Sequence, residues 1–378
     1  MPQSEDEPFE PTTVLTREQI AEALAAHDST GHYLVGVGGT QPGERVEIGA
    51  QPVTIGRDPQ NVRSFNDADL SRFHLRVSLA GPLVIAEDLG STNGTFVNDE
   101  RITAPRTLQQ GDIVRAGRQQ CRYERLSRRE VERVLQLDHD LQVARSYVLA
   151  LLPEPLASGP VRATWHFVPS AQLGGDAFGY RWIGPETFVF YLIDVSGHGA
   201  GAAMHSVTVL NLLRQQALPG VDLASPADVL SSLNARFQME QHGGLFFTMW
   251  YGAYRTKDRT LTYSSAGQHP AYLVPPDRLT AQPIGTQALM IGAMDDTLYR
   301  ASQTTVPPGS SIYLFSDGAF EIDTKDGEMW GLKDFVPLLI EPALPDTTEP
   351  VRLYRAVTAA ADRSPLADDF SLMVVTFA

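Results

Sequence analysis

Cysteine is nearly absent: Cys121 is the only thiol in 378 residues. That excludes an intramolecular disulfide framework and fits a reducing compartment, with Cys121 read as a structural thiol. No hydrophobic run approaches the roughly 20 residues that a bilayer-spanning helix needs. The first 20 residues carry Glu5, Asp6, Glu7 and Glu10 instead of the pattern of a secretory leader. A cytoplasmic chain without a membrane partner is therefore expected. Basic charge is also scarce relative to acid, with a formal net charge of −15, so nucleic acid is not an expected partner. There is no internal repeat and no low-complexity tract.

Apolar residues make up 43% of the chain and charged residues 20%, the composition of a globular protein, and the length suggests two domains with connecting pieces. Residues 1–30 form an acidic tail with one short amphipathic stretch, Thr16 to His27, in which Thr16 is placed to cap a helix. From about residue 31 to 126, acids and bases balance. Short runs such as Tyr33 to Val37, Leu75 to Leu79 and Thr95 to Val97 are broken there by Gly, Asn and Asp turns, the pattern of an all-β sandwich. Over 127–155 the turns vanish. Val134, Leu137, Leu141, Ala144, Val148 and Leu151 then follow a 3-4-3-4-3 spacing, which predicts a linker helix with a coiled-coil seam ending at Pro153. Two readings of that helix stay open: packing on its own domains, or the seam of a homodimer.

Residues 156–378 mix strand-like runs with helical stretches and carry most of the excess acid. Helices are expected from Gly199 to Gln216, from Ser225 onward with Pro226 at the first helical position, and from Glu349 to Asp362. Acids recur where strand-like runs stop. Asp194 follows Phe188 to Ile193, Asp317 follows Ile312 to Ser316, Asp368 and Asp369 precede Phe370 to Val375, and Asp176 follows a glycine pair. Carboxylates beside a core need compensation, and no nearby Lys or Arg supplies it. A shared hard cation would, and oxygen donors of this kind select Mg²⁺ or Mn²⁺. The most specific motif is Asp194-Val-Ser-Gly-His-Gly-Ala-Gly-Ala-Ala203, which leaves a strand, crosses two glycines and opens a helix of small residues.

These motifs, with Leu173-Gly-Gly-Asp176, Ser264-Ser-Ala-Gly-Gln-His-Pro270, Val306-Pro-Pro-Gly309, Phe315-Ser-Asp-Gly-Ala-Phe-Glu321 and Asp368-Asp-Phe-Ser371, resemble the PPM-type protein phosphatases of the bacterial SpoIIE and RsbU branch, in the family's order, over about Leu141 to Ala378. The resemblance implies an α-β-β-α sandwich of the α+β class. It implies two Mn²⁺ or Mg²⁺ ions held by Asp176, Asp194, Asp317 and Asp368, with the Val195 carbonyl as a further ligand, Asp369 as a weaker one, and His198 near the leaving group. Water activated by the ions would attack phosphorus, so no protein nucleophile is required. Two departures stand out. Gly179 occupies a position where the family commonly has an acid, and Gly267-Gln-His-Pro270 stands where it commonly reads Gly-His-Asn-Pro.

In the β-rich segment, Gly56-Arg57, Leu70-Ser-Arg-Phe-His74 and Asp88 to Asn98 fall between strands. A guanidinium, a hydroxyl, backbone N–H groups and an amide make a cradle for a phosphate dianion. Asn93-Gly94 also reads as a tight hairpin turn. The three motifs resemble the forkhead-associated (FHA) domain, which reads phosphothreonine. The resemblance implies that Arg57 and Ser71 bind phosphate, that Arg72 and Thr92 assist, and that Asn93 holds the peptide backbone; Gly56, His74 and Gly94 are architectural.

Together these readings describe a metal-dependent protein serine/threonine phosphatase in bacterial signalling, steered by phosphothreonine. The alternative is a catalytically inactive pseudophosphatase that binds metal and acts as a phospho-dependent adaptor. The expected substrate is a phosphoserine or phosphothreonine protein, by family analogy an anti-sigma-factor antagonist. The FHA ligand is expected to be a phosphothreonine protein or the chain's own tail, phosphorylated at Thr12 or Thr13 by an upstream Ser/Thr kinase.

Overall fold

Alternation of apolar and polar residues builds the N-terminal unit strand by strand. In Leu75–Ala80, Leu75 and Val77 point inward and are fully buried while Arg76 and Ser78 face outward, and each buried aliphatic side chain contributes about 1.5–3 kcal/mol. The structure, a computed structural model, describes residues 30–39, 43–170, 173–325, 327–362 and 365–378. The expected helix from Thr16 to His27 and the threonines at 12 and 13 lie outside the described residues. The chain divides into two compact units, residues 1–139 and 140–378.

The first unit is a β-sandwich. One sheet runs in the order Arg45–Glu47, Thr30–Gly38, Gln119–Ser127, Ile113–Ala116, Thr95–Val97, Glu100–Arg101; the other in the order Arg63–Ser64, Val53–Gly56, Leu75–Ala80, Leu83–Asp88, Arg106–Leu108. Leu34, Ile55, Val77, Val114 and Tyr123 fill the space between them. Cys121 packs against this core, and burial pushes its thiol up to about 11, consistent with a structural thiol.

Asn93-Gly94 is not the hairpin turn that the dipeptide suggested. Leu83–Asp88 and Thr95–Val97 belong to different sheets, so the loop crosses the sandwich. The tight hairpin lies five residues on, where Asn98 (φ 51°) and Asp99 (φ 64°) join Thr95–Val97 to Glu100–Arg101; positive φ at both central residues is what a type I′ turn requires.

Ser127 opens the helix Arg128–Leu151 with a capping box: its hydroxyl accepts the Glu130 N–H, and its own N–H donates back to the Glu130 carboxylate at 2.7 Å. The helix stops two residues before Pro153. Val134, Leu141, Ala144, Val148 and Leu151 are half-buried along it, whereas Leu137, a member of the expected seam, is 56% exposed.

Two five-stranded sheets form the centre of the second unit. One runs Val161–Val168, Phe370–Phe377, Ser311–Phe315, Ala271–Val274, Gln282–Ile284; the other runs Ala177–Ile183, Thr187–Val195, Phe247–Arg255, Thr260–Ala266, Ser302–Thr305. Phe190, Trp250, Leu314, Val375 and Phe377 pack between the sheets. Helices Ala200–Arg214 and Pro226–Arg236 cover the second sheet through Val209, Leu213, Val229 and Leu233, and helix Glu349–Ala360 covers the first through Leu353 and Val357. The layers are therefore α-β-β-α. Ser225 precedes its helix as expected, but its hydroxyl makes no capping bond; Pro226 and Asp228 supply the start signal.

Candidate functional site

Two antiparallel pairings gather the strand-end acids. Ala177 pairs with Ile193, so Asp176 and Asp194 stand at the same end of one hairpin. Phe315 pairs with Leu372 in the other sheet, which brings Asp317 beside Asp368 and Asp369.

Burial and mutual repulsion dominate this cluster. Burial raises Asp176 well above the ordinary carboxylate range, the charges of Asp194 and Asp369 raise it further, and the Ser371 and Ser316 hydroxyls oppose the shift. Asp194 is pushed up to about 7 by burial, then by Asp317, Asp368 and Asp369. Asp317 is pushed up to about 6 by burial, Asp368 and Glu321. No Lys or Arg forms an ion pair with any of these acids among the described residues. The buried Asp176 Oδ2 also lacks a hydrogen-bond partner among the described residues.

Among the described residues, no three His, Cys, Asp or Glu side chains form a ready-made ion cage. The electrostatic coupling of the carboxylates and the Asp176 oxygen without a partner among the described residues are the features that fit divalent ions here. The donor set, carboxylates with a backbone carbonyl, suits Mg²⁺ or Mn²⁺.

Asp369 plays a different part from its neighbours. Its Oδ1 accepts the Ser170 N–H at 2.7 Å and the Ser170 hydroxyl at 2.9 Å, and its Oδ2 accepts the Gly175 N–H at 2.7 Å. It therefore anchors the segment leading to Asp176, and a side chain at Gly174 would overlap its carboxylate. Asp368 is exposed, and its Oδ1 accepts the Asp369 N–H at 2.7 Å. The Val195 carbonyl lies 2.8 Å from where a Cβ on Gly175 would sit, so glycine lets the Asp176 segment approach it. His198 is exposed between Gly197 (φ 83°) and Gly199 (φ 86°), directly before helix Ala200–Arg214.

Sequence reasoning missed the polar supports beneath these acids. Gln268 is buried, accepts the Thr248 hydroxyl and donates to the Phe315 carbonyl at 3.3 Å. Thr248 pairs with Asp194 in register, so Gln268 ties the ends of the two sheets together. Ser316 accepts the Ser371 N–H at 3.1 Å and donates to the Asp369 carbonyl at 3.0 Å. A buried polar residue at the end of an apolar strand was the available signal. Gly179 faces the Tyr191 hydroxyl within the helix-side layer, so the departure there points away from Gln268 and the other supports between the sheets.

In the first unit, the phosphate-reading candidates share one group of loops. Ser71 Oγ accepts the Thr92 N–H at 3.0 Å, and Asn93 Nδ2 donates to the Asp69 carbonyl at 2.9 Å. The Arg57 N–H donates to the Ser71 carbonyl at 2.9 Å, placing Arg57 alongside. The guanidinium groups of Arg57 and Arg72 are exposed and make no ion pair among the described residues.

His74 is fully buried; its Nδ1 accepts the Ser71 N–H, which leaves Nε2 protonated to donate to the Gly94 carbonyl at 3.2 Å. Asp88 organises the next loop by accepting from Ser91 and Thr95 hydroxyls and from the Gly90 and Ser91 N–H groups, and these bonds hold its carboxyl below the usual range despite burial.

Comparison with known proteins gives the same two-part picture. Residues 184–378 match the family model described as stage II sporulation protein E (SpoIIE), and residues 53–117 match the FHA domain. The chain is 28% identical over 210 residues to the phosphoserine phosphatase RsbU of Bacillus subtilis, covering 55% of this chain and 61% of RsbU. It is 37% identical over 86 residues to the FHA domain-containing protein FhaB of Mycobacterium tuberculosis, covering 23% of this chain and 56% of FhaB. It thus spans less than two thirds of the length of each. Among solved structures, the SiaA-PP2C domain of Pseudomonas aeruginosa aligns with a TM-score of 0.56 at 20% identity, covering 64% of this chain and 98% of that one. That likeness supports a PP2C-like α+β fold for the second unit, which follows the FHA region in the chain.

Proposed function

The chain belongs to the stage II sporulation protein E (SpoIIE) family, whose model covers residues 184–378, and from that premise we propose that it is a Mn²⁺- or Mg²⁺-dependent protein serine/threonine phosphatase in bacterial signalling, targeted or regulated by phosphothreonine at its FHA domain. One observation carries the reading: the mutually repelling carboxylates of buried Asp176 and half-buried Asp194 and Asp317, with no cationic partner among the described residues. Such an arrangement destabilises the ion-free protein and is reversed by divalent cations.

Asp176, Asp194, Asp317, Asp368 and the Val195 carbonyl would hold two such ions, with Asp369 fixing the Asp176 segment. When bound, the ions supply water of lowered pKa and neutralise charge on the phosphoryl group. The chain's own share is orientation and proton handling. Buried Asp176 and half-buried Asp194 line one side of the site. Exposed His198, four residues after Asp194, would give a proton to the departing serine or threonine oxygen. The name of RsbU, a phosphoserine phosphatase, supports the proposed substrate class; a phosphorylated anti-sigma-factor antagonist is the family-level candidate.

Arg57, Ser71, Arg72, Thr92 and Asn93 would hold the phosphothreonine peptide, either from a partner or from the chain's own tail phosphorylated at Thr12 or Thr13 by an upstream kinase. A homodimer through helix Arg128–Leu151 is compatible with its exposed Leu137 and Tyr147.

The test is phosphate release from a phosphoserine peptide. Activity should require Mn²⁺ or Mg²⁺, and Asp317→Asn should lower it by more than the ~100-fold typical of losing a residue that only orients a ligand. Absence of release with every divalent ion would favour the adaptor.

A further inference from the structure

Strand Ala177–Ile183 turns Ala177 and Ile183 into the layer beneath helix Ala200–Arg214, and Gly179 and Arg181 share that face by alternation. Glycine at 179 leaves space, because a side chain there would overlap the Tyr191 hydroxyl. The result is a cavity of about 270 Å³ lined by Leu151, Gly179, Tyr180, Arg181, Tyr191 and Arg214, among others. Two guanidinium groups share it.

Their partners are neutral. Arg181 Nη1 donates to the Arg214 carbonyl at 2.6 Å, and Arg214 Nη1 donates to the Leu151 carbonyl at 2.8 Å. No carboxylate forms an ion pair with either among the described residues, although the second unit carries a large excess of acid. Arg181 Nε is buried with no hydrogen-bond partner among the described residues. The Tyr191 hydroxyl makes no hydrogen bond among the described residues, and the charges of Arg214 and Arg181 both reach it. Two adjacent cations, a buried N–H without a partner among the described residues and a hydroxyl able to donate form a donor-rich lining, which favours an anion over a cation or apolar group.

We propose that this cavity is an oxyanion site separate from the acidic centre and from the FHA loops, taking one phosphate group, free or as a small phosphomonoester, between Arg181 and Arg214 with Tyr191 as a third donor. A dianion matches the two positive charges. Because Arg214 also holds the last carbonyl of helix Arg128–Leu151, the ligand would compete with that bond.

The experiment is calorimetric titration of the full chain in EDTA, carrying Arg57→Ala, with inorganic phosphate and with glycerol 3-phosphate at constant ionic strength. Those conditions silence the two phosphate-binding places of the proposed function, so the outcome does not depend on that reading. One saturable site is expected, weakened at least tenfold by Arg181→Gln and by Arg214→Gln but not by Arg236→Gln. Binding of phosphate alone assigns the free anion, and binding of the ester alone or more tightly assigns a phosphorylated metabolite. Saturation by neither overturns the proposal, as does equal affinity in folded Arg181 and Arg214 variants. If those variants fail to fold, phenylglyoxal labelling of the chain with both arginines intact decides: phosphate should protect Arg181 and Arg214 but not Arg236, and equal labelling overturns the site.

Discussion

Replacing Asp176 by asparagine keeps the side chain's shape and removes a buried negative charge that faces Asp194 and Asp369. In EDTA the Asp176→Asn chain should therefore melt at a higher temperature than the parent, by ~1–3 kcal/mol of relieved repulsion and burial. Saturating Mn²⁺ should stabilise the parent and leave the variant almost unmoved. Differential scanning calorimetry with and without ion checks both halves, and an Asp176→Asn chain less stable in EDTA would mean that the charge is compensated.

His269 gives a pH prediction of opposite sign to the acids. Burial between Phe315 and Phe320 lowers it to about 4, against about 6.5 in an unfolded chain. Its contribution is thus whole above pH 6.5 and is lost as pH falls from 6.5 to 4, because only the unfolded chain takes up the proton in that window. The loss is at most ~3 kcal/mol. Asp194 and Asp317, raised to about 7 and about 6, work the other way: the ion-free folded chain holds their protons more tightly, so their share of stability falls as pH rises from about 4 toward 7. Urea midpoints of the parent and His269→Asn at pH 7, 5.5 and 4 isolate the histidine as the difference between two curves, and parallel curves would discount it.

At the scale of elements, Ser170 and Gly175 owe their positions to Asp369, whose two oxygens take bonds from them. Asp369→Asn turns one acceptor into a donor facing an N–H. Mn²⁺ affinity should fall ~10–100-fold, the usual effect of losing a group that orients ligands, while circular dichroism at 25 °C stays unchanged. Affinity equal to the parent's would demote Asp369 to packing.

This element also shows what the sequence makes legible. Acids at the ends of apolar runs pointed to a common site because antiparallel pairing of neighbouring strands brings such ends together, as Ala177 with Ile193 and Phe315 with Leu372 do. The same reading could not separate Asp368 from Asp369, since adjacent identical residues differ only in the direction that the strand start gives them. Asn93-Gly94 misled for a related reason: a dipeptide states its preferred turn, but not whether the flanking strands share a sheet. Arg181 and Arg214 carried no local signal, because their partners lie 33 and 63 residues away.

For the whole molecule, separate cores imply separate stabilities. The core built around Leu34, Val77 and Tyr123 belongs wholly to residues 1–139, whereas the three remaining cores belong to 140–378. Ligands of the two units should then act on different unfolding transitions. A phosphothreonine peptide at 100 times its Kd stabilises the unit that binds it by ~2.7 kcal/mol, and it should move only the transition abolished from the response by Arg57→Ala. Mn²⁺ should move only the transition that Asp317→Asn desensitises. Calorimetry of the full chain with each ligand alone and then both is the measurement. Additive, independent shifts describe two units that only share a chain, whereas a shift in the Mn²⁺-sensitive transition caused by peptide would measure a coupling free energy between recognition and hydrolysis.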